Sequence, residues 1–425
     1  MVDNEINSVS EPLGENTKFD LSQKIIILYL LFKVLSVTYG FNNISLLKSG
    51  VIDVILFAFF LVAFVDYTVF LDIFIGFKSS VTVLLTLSFF FVCYTSFFKH
   101  QDVNHNLVFF LKLFEYIVQF VALFFIFGNV LYKNPHLFEK FCTYILYFAV
   151  ISSIFSLVNY ETQLLYNKNY YYSTVGFFFH PNTASFLYTF SIPILIYKYI
   201  TNQTSILKFI SLLVLFLVTL LLTFSRAGYV AVFISVLIIT YVKSKKLFLV
   251  SLILMMVIFV AVASSLVAPK SVSSVSRLQL LLTSYALLSV KNNFLWGIGM
   301  ESYKGIFFEQ KTFFGNYETD VNSPHNFILL LILQFGILTL LSYLFFIFLI
   351  IKKTLTRLKR ISDSDMKMRI VLSLTIVFSI IVQNFFEEVF VNPNFPIMPV
   401  SLIFMGCLYS FILDTKKSKY LSKDK

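Results

Sequence analysis

Apolar runs of about 20 residues recur from Ile25 almost to the C-terminus, and nothing else constrains this chain as strongly. A helix needs roughly 20 apolar residues to cross a hydrocarbon core of about 30 Å. Such runs lie near 24–41, 50–70, 80–98, 106–128, 138–158, 184–200, 206–224, 227–242, 247–268, 325–351, 370–390 and 397–413. They predict an all-α integral membrane protein with about 12 transmembrane helices. The stretches 41–80 and 224–227 divide ambiguously, so the count is good to about one helix. Composition agrees, with 58% hydrophobic and 13% charged residues. Soluble domains have about 45–50% and about 25%.

The net charge of +11 could suggest a nucleic-acid partner, but its placement argues against one. The basic residues gather in segments that would share one side of the membrane. They include Lys243, Lys245 and Lys246, then Lys352, Lys353, Arg357, Lys359, Arg360, Lys367 and Arg369, then five lysines after Asp414. By the positive-inside rule that side is the cytoplasm, where basic patches face anionic head groups. The expected organisation is a cytoplasmic N-terminal tail at 1–23, helices one to nine at 24–268, and an extracytoplasmic loop at 269–324. Helices ten to twelve follow at 325–413, then a basic cytoplasmic tail at 414–425. The first twenty residues lack the pattern of a cleaved signal peptide, so the first span is read as an uncleaved anchor. Cys93, Cys142 and Cys407 all fall within predicted spans, which leaves no loop pair for a disulfide and no zinc spacing.

Three segments interrupt the apolar pattern: the Tyr- and Asn-rich stretch Asn159–Asn182, the long outer loop, and the basic loop 352–369. Within the long loop, 276–293 reads as an amphipathic helix capped by Ser274 or Ser276. Leu278, Leu281, Leu282, Tyr285, Leu288 and Val290 form its expected apolar face, suited to the membrane interface. Trp296-Gly297-Ile298-Gly299 reads as a turn that presents backbone. Asp363-Ser364-Asp365 has the spacing of a metal motif, but it stands among basic residues without a supporting strand and is read as solvated loop.

The chain has five arginines. Three belong to the basic loop, whereas Arg226 and Arg277 lie on the predicted outer side, against the charge rule. Arg226 sits in Thr223-Phe-Ser225-Arg226-Ala-Gly228, a tight break between two apolar runs. An arginine there either snorkels to the interface or faces an anion whose oxygens match its planar fork. Ser323-Pro324-His325-Asn326 opens the next long run like a helix N-terminus, where free N–H groups and the helix dipole favour anions. His325 there is either a surface residue or a phosphate ligand, proton donor or base. His180 stands similarly before Pro181-Asn182. Glu387 and Glu388 near an outer helix end are either hydrated or one of them is a base.

Taken in order, Gly176…His180-Pro181-Asn182, Ser225-Arg226-Ala-Gly228, Arg277, Gly297-Ile-Gly299, His325-Asn326 and Gln334-Phe-Gly336 resemble the O-antigen ligase and polymerase family, over roughly 160–350. This family includes the Wzy-type polymerases of capsule, exopolysaccharide and O-antigen assembly. The resemblance implies a GT-C-like fold and a glycosyltransferase at the outer face of a bacterial cytoplasmic membrane. It would act on polyprenyl-diphosphate (undecaprenyl-type) linked oligosaccharide as donor and acceptor. It further implies Arg226, Arg277 and His325 as catalytic residues, with His180, Asn182, Ser225, Gly297, Gly299 and Asn326 binding substrate. Neither cofactor nor metal is expected. A flippase and a chain-length regulator are candidate partners beside the lipid bilayer. Within the class, polymerase is favoured over ligase because the Lys- and Phe-rich composition hints at a low-GC host. A lipid-linked-sugar flippase is the alternative of another class, with Lys33 and Asp66 as possible midplane charges, but the second half shows no matching pattern.

Overall fold

The structure is a computed structural model. It describes residues 119–158, 181–253, 271–290, 293–299, 326–385 and 397–421, together with 117, 178, 256, 306, 307 and 324. The spans predicted at 24–41, 50–70 and 80–98, about half of the fourth, and most of the ninth lie outside these residues.

Every extended element among the described residues is a helix. Phe120–Phe127 winds as a π-helix and continues into α1, Gly128–Lys133. Then follow α2 (Pro135–Val158), α3 (Pro181–Ile200), α4 (Ile206–Leu222) and α5 (Arg226–Lys243). The outer-loop region contributes α6 (Ser271–Ser289) and the single turn α7 (Asn293–Trp296). The chain closes with α8 (Phe327–Leu358), α9 (Ser364–Asn384) and α10 (Ile397–Leu421).

The burial pattern departs from that of a soluble bundle: a large hydrophobic core also holds many small polar residues, and apolar residues face outward. α3 sits against α2, α4, α5 and α9, and α10 sits against α1, α8 and α9. These central helices enclose hydroxyls and amides: Thr183, Ser185, Thr189 and Ser191 on α3, and Ser373, Thr375, Ser379, Gln383 and Asn384 on α9. The outward faces are apolar, as with Ile151, Ile154 and Val158 on α2 and Leu207, Ile210 and Val214 on α4. Val158 is 76% exposed and Leu207 75%. Water would penalise such faces, whereas lipid accepts them, and small polar residues then serve helix–helix contact. Pro135–Val158, Arg226–Lys243 and Phe327–Leu358 are long and apolar enough to cross a membrane.

α1 and α10 touch backbone to backbone. A Cβ on Gly128 would lie 2.5 Å from Gly406 Cα, and one on Gly406 would overlap the carbonyl oxygen of Phe124. Gly406→Ala is therefore expected to lower stability by about 1–3 kcal/mol through overpacking. Thermal unfolding in detergent measures this, and an unchanged midpoint would mean the helices stand farther apart.

The two ends of the bundle differ. At one end Lys198 pairs with Glu139 at 3.1 Å and Tyr197 donates to the same carboxylate. Tyr132 donates to Asp414 there at 3.0 Å, and Arg357 donates to the Ile412 carbonyl. The basic segments 243–246 and 352–369 belong to this end. Asp363 caps α9 there through the N–H groups of Asp365 and Met366, at 2.9 and 3.3 Å. The Asp-Ser-Asp triplet is thus a helix start. Cys142 and Cys407 are free and buried.

Candidate functional site

At the opposite end, the N-termini of α3, α5 and α8 meet the C-termini of α4 and α9, and the sequence accounts for each piece. Only Thr223-Phe224-Ser225 joins α4 to α5. Phe224 takes φ 51°, a left-handed conformation that bulky side chains rarely adopt. The turn is held from several directions. Thr223 and Phe224 donate to Leu220 and Leu221 carbonyls at 3.1 Å each, the Thr223 hydroxyl to Leu220 at 2.7 Å, and the Tyr229 hydroxyl to Leu221 at 2.7 Å. Strain of this kind costs about 1–3 kcal/mol and persists where the surroundings over-determine it.

The four residues Ser225-Arg226-Ala227-Gly228 then divide the work. Ser225 is the N-cap of α5, its hydroxyl accepting the Gly228 N–H at 3.3 Å. Arg226 is the first helical residue and is exposed, whereas Ala227 is buried. Gly228 leaves room for α3, since a Cβ there would lie 2.7 Å from that of Ser185. Ser185 and Ser225 hydroxyls approach to 2.9 Å. Asn182, in the first turn of α3, accepts from Ser185 through its carbonyl at 2.7 Å.

Asn326 is the N-cap of α8. Its side chain accepts from Leu329 N–H at 3.0 Å and donates to the Phe385 carbonyl at the end of α9 at 2.8 Å. One amide thus caps one helix and ties down the carbonyl end of another. His180, His325, Glu387 and Glu388 lie outside the described residues, as does the side chain of Arg277, whose backbone belongs to α6.

The glycine motifs have a shared place in the fold. α8 is broken at Gly336, which takes φ 82°, ψ 170°. The break frees carbonyls of the preceding turn, and Trp296–Gly299 supplies donors for them. Ile298 N–H reaches the Leu333 carbonyl at 2.6 Å and Gly299 N–H the Gln334 carbonyl at 3.0 Å. Gly297 N–H donates within its own turn to Asn293 at 2.8 Å. The turn presents its backbone to a broken helix, so the amides of Gly297 and Gly299 are engaged inside the chain. Unpaired backbone is tolerated at membrane depth only with such partners.

α6 packs through one face and leaves much of its predicted apolar face outward. Leu280, Thr283, Ser284 and Leu287 are buried, whereas Leu281, Leu282, Tyr285 and Val290 are exposed. Small Thr283 and Ser284 allow the closer approach to α8.

The geometry defines a helical membrane protein with an exposed arginine at one end, where three helix N-termini and two helix C-termini meet. Residues 211–344 match the family model described as O-antigen ligase. That segment runs from α4 to the second half of α8 and includes Arg226, Arg277, the glycine turn, Asn326 and Gly336. This match agrees with the resemblance of the motifs to the O-antigen ligase and polymerase family and covers about a third of the chain. No curated protein matches the chain.

Proposed function

We propose that this protein is a polysaccharide polymerase. In this reading it joins polyprenyl-diphosphate-linked oligosaccharide repeat units on the outer side of the bacterial cytoplasmic membrane. The observation that carries the reading is the placement of Arg226. It stands at a helix N-terminus, at the bundle end opposite the basic segments, inside the segment that matches the family model. The positive-inside rule makes the basic end cytoplasmic and the Arg226 end external.

Transfer breaks the bond between sugar C1 and the diphosphate oxygen and forms one between C1 and an acceptor hydroxyl oxygen. The hydroxyl proton goes to a base, and polyprenyl diphosphate leaves with the electron pair. Negative charge grows on the leaving group as the bond breaks. Fixed cations near it stabilise the transition state more than the ground state. Arg226 and Arg277 take that role, with His325 on the diphosphate or the acceptor hydroxyl and Glu387 or Glu388 as the candidate base. The N-terminus of α5, on which Arg226 stands, adds to the positive potential beside it. Asn182, Ser225 and Asn326 shape this end, and His180 lies one residue before α3. Gly297 and Gly299 serve the site by fixing the outer loop on α8. A flippase delivering the donor and a chain-length regulator are the natural partners.

The family model's own description favours a second reading, a ligase that moves a finished glycan to a different acceptor. The deciding experiment incubates purified protein in lipid nanodiscs with a polyprenyl-diphosphate-linked repeat unit, followed by mass spectrometry. A polymerase yields a ladder of lengths, with one polyprenyl diphosphate released per bond formed. A donor left unextended, yet transferred whole to an added acceptor, identifies a ligase. A donor unchanged under both conditions sinks the enzyme reading and leaves transport.

A further inference from the structure

We propose that Gln383 is a positioning residue for Arg226, acting through Ser185 and Ser225; the proposal rests on the assignment of Arg226 to the leaving diphosphate. Gln383 lies in the last turn of α9 and is fully buried. Its Nε2 donates to the Ser185 hydroxyl at 2.6 Å and to the Asn182 carbonyl at 3.4 Å, and its Oε1 accepts from the Thr189 hydroxyl at 2.8 Å. The Asn182 carbonyl is acceptor-only, so a flipped amide would set two carbonyl oxygens against each other.

The chain of contacts leads to one place. Ser185 receives the amide proton on one lone pair and meets Ser225 at 2.9 Å. Its own single proton goes to the Asn182 carbonyl or to Ser225; in the first case Ser225 donates back to Ser185. Ser225 is the cap that sets the first turn of α5, and Arg226 is the next residue. Gly228 removes the side chain that would separate the two serines. Three helices, α3, α5 and α9, are thereby registered against one another within a turn of the arginine.

A purely structural contact between the same helices is available for comparison. The hydroxyls of Ser235 on α5 and Ser379 on α9 bond to each other, and both side chains are fully buried, one turn along α9 from Gln383. If Gln383 only holds helices together, removing it and removing Ser379 should have like effects. Polar contacts between membrane helices average roughly 0.6 kcal/mol, so neither should unfold the protein.

The test uses the full-length protein in nanodiscs and rates of transfer from the lipid-linked donor. Gln383→Met keeps the volume and loses the amide. It is expected to lower kcat about tenfold to a hundredfold with a small change in KM, because misplacement by about 1 Å at a reacting centre costs up to about a hundredfold. Ser379→Ala should keep wild-type kcat, and both variants should melt near the wild-type midpoint. Ser185→Ala cuts the same chain one link on and should reproduce the loss, which keeps the test open if Gln383→Met fails to fold. The decisive reading is the double variant. With Arg226→Lys in place, adding Gln383→Met should cost little more, since its effect runs through the arginine. Losses that multiply, or a Gln383→Met enzyme with normal kcat, overturn the positioning role while leaving the Arg226 assignment intact. A normal rate from Arg226→Lys alone overturns both.

Discussion

Arg226→Lys is expected to slow glycan transfer about a hundredfold to a thousandfold while leaving the protein in the membrane at its usual level. The magnitude is that of losing one preorganised donor to a developing charge, roughly 2.7–4 kcal/mol. Lysine keeps the charge but loses the planar fork that meets two phosphate oxygens together. The fold should be indifferent. Arg226 is exposed, whereas the cap, the close contact with α3 and the turn are maintained by Ser225, Gly228 and Thr223. Arg277→Lys should behave likewise if both arginines hold the diphosphate. Lys243→Arg and Lys359→Ala, at the basic end, should be silent. Surface polysaccharide length at matched membrane levels is the cellular readout. Chains of normal length from both arginine variants would make them interfacial anchors and return the site to open search.

Gly336→Ala should instead act on the fold. The φ 82°, ψ 170° backbone of Gly336 is a region essentially closed to other residues, at about 1–3 kcal/mol. A Cβ would also overlap the Leu295 carbonyl oxygen and lie 2.7 Å from Trp296 Cα, adding about 1–3 kcal/mol of overpacking. The expected outcome is a clear fall in the unfolding midpoint and in membrane yield, together with activity. Leu341→Ala, on the same helix at a 55% exposed position, is the control. If Gly336→Ala melted like wild type, the break in α8 would not be the fixed feature described here. Gly297→Ala tests the other side of the joint, since its Cβ would lie 2.6 Å from the Gln334 carbonyl oxygen at φ 77°.

The two substitutions separate two kinds of motif that look alike in sequence. Ser-Arg-Ala-Gly places a charge at a helix start, whereas Gly-Ile-Gly and Gln-Phe-Gly join a loop to a helix. Both contain glycine in a short polar interruption of apolar runs. The family resemblance implied that Gly297 and Gly299 bind substrate. Distances alone reveal that Ile298 and Gly299 offer theirs to Leu333 and Gln334.

Gln383 went unnoticed for a related reason. An amide within an apolar run reads as one polar residue on a helix. Its meaning depends on Ser185 and Ser225, 198 residues from the first in sequence, and the second reached only through it. The Tyr and Asn content of the outer segments gave no hint of it. Its one legible sign was that a polar amide within a span needs a partner.

The sequence by itself determined the membrane class, the apolar helical runs, the clustering of the basic residues and the family-like motifs, including the one that holds Arg226. These follow from properties local to each segment: apolar length, charge placement, capping residues and glycine. Tertiary structure alone decided which face of α6 packs, where the loop glycines spend their hydrogen bonds, and how Asn326 and Gln383 tie helix ends together. Those outcomes depend on which backbone carbonyls and hydroxyls are left unpaired once helices meet. No window of sequence contains both partners, because the membrane leaves each polar group to find its mate elsewhere in the chain.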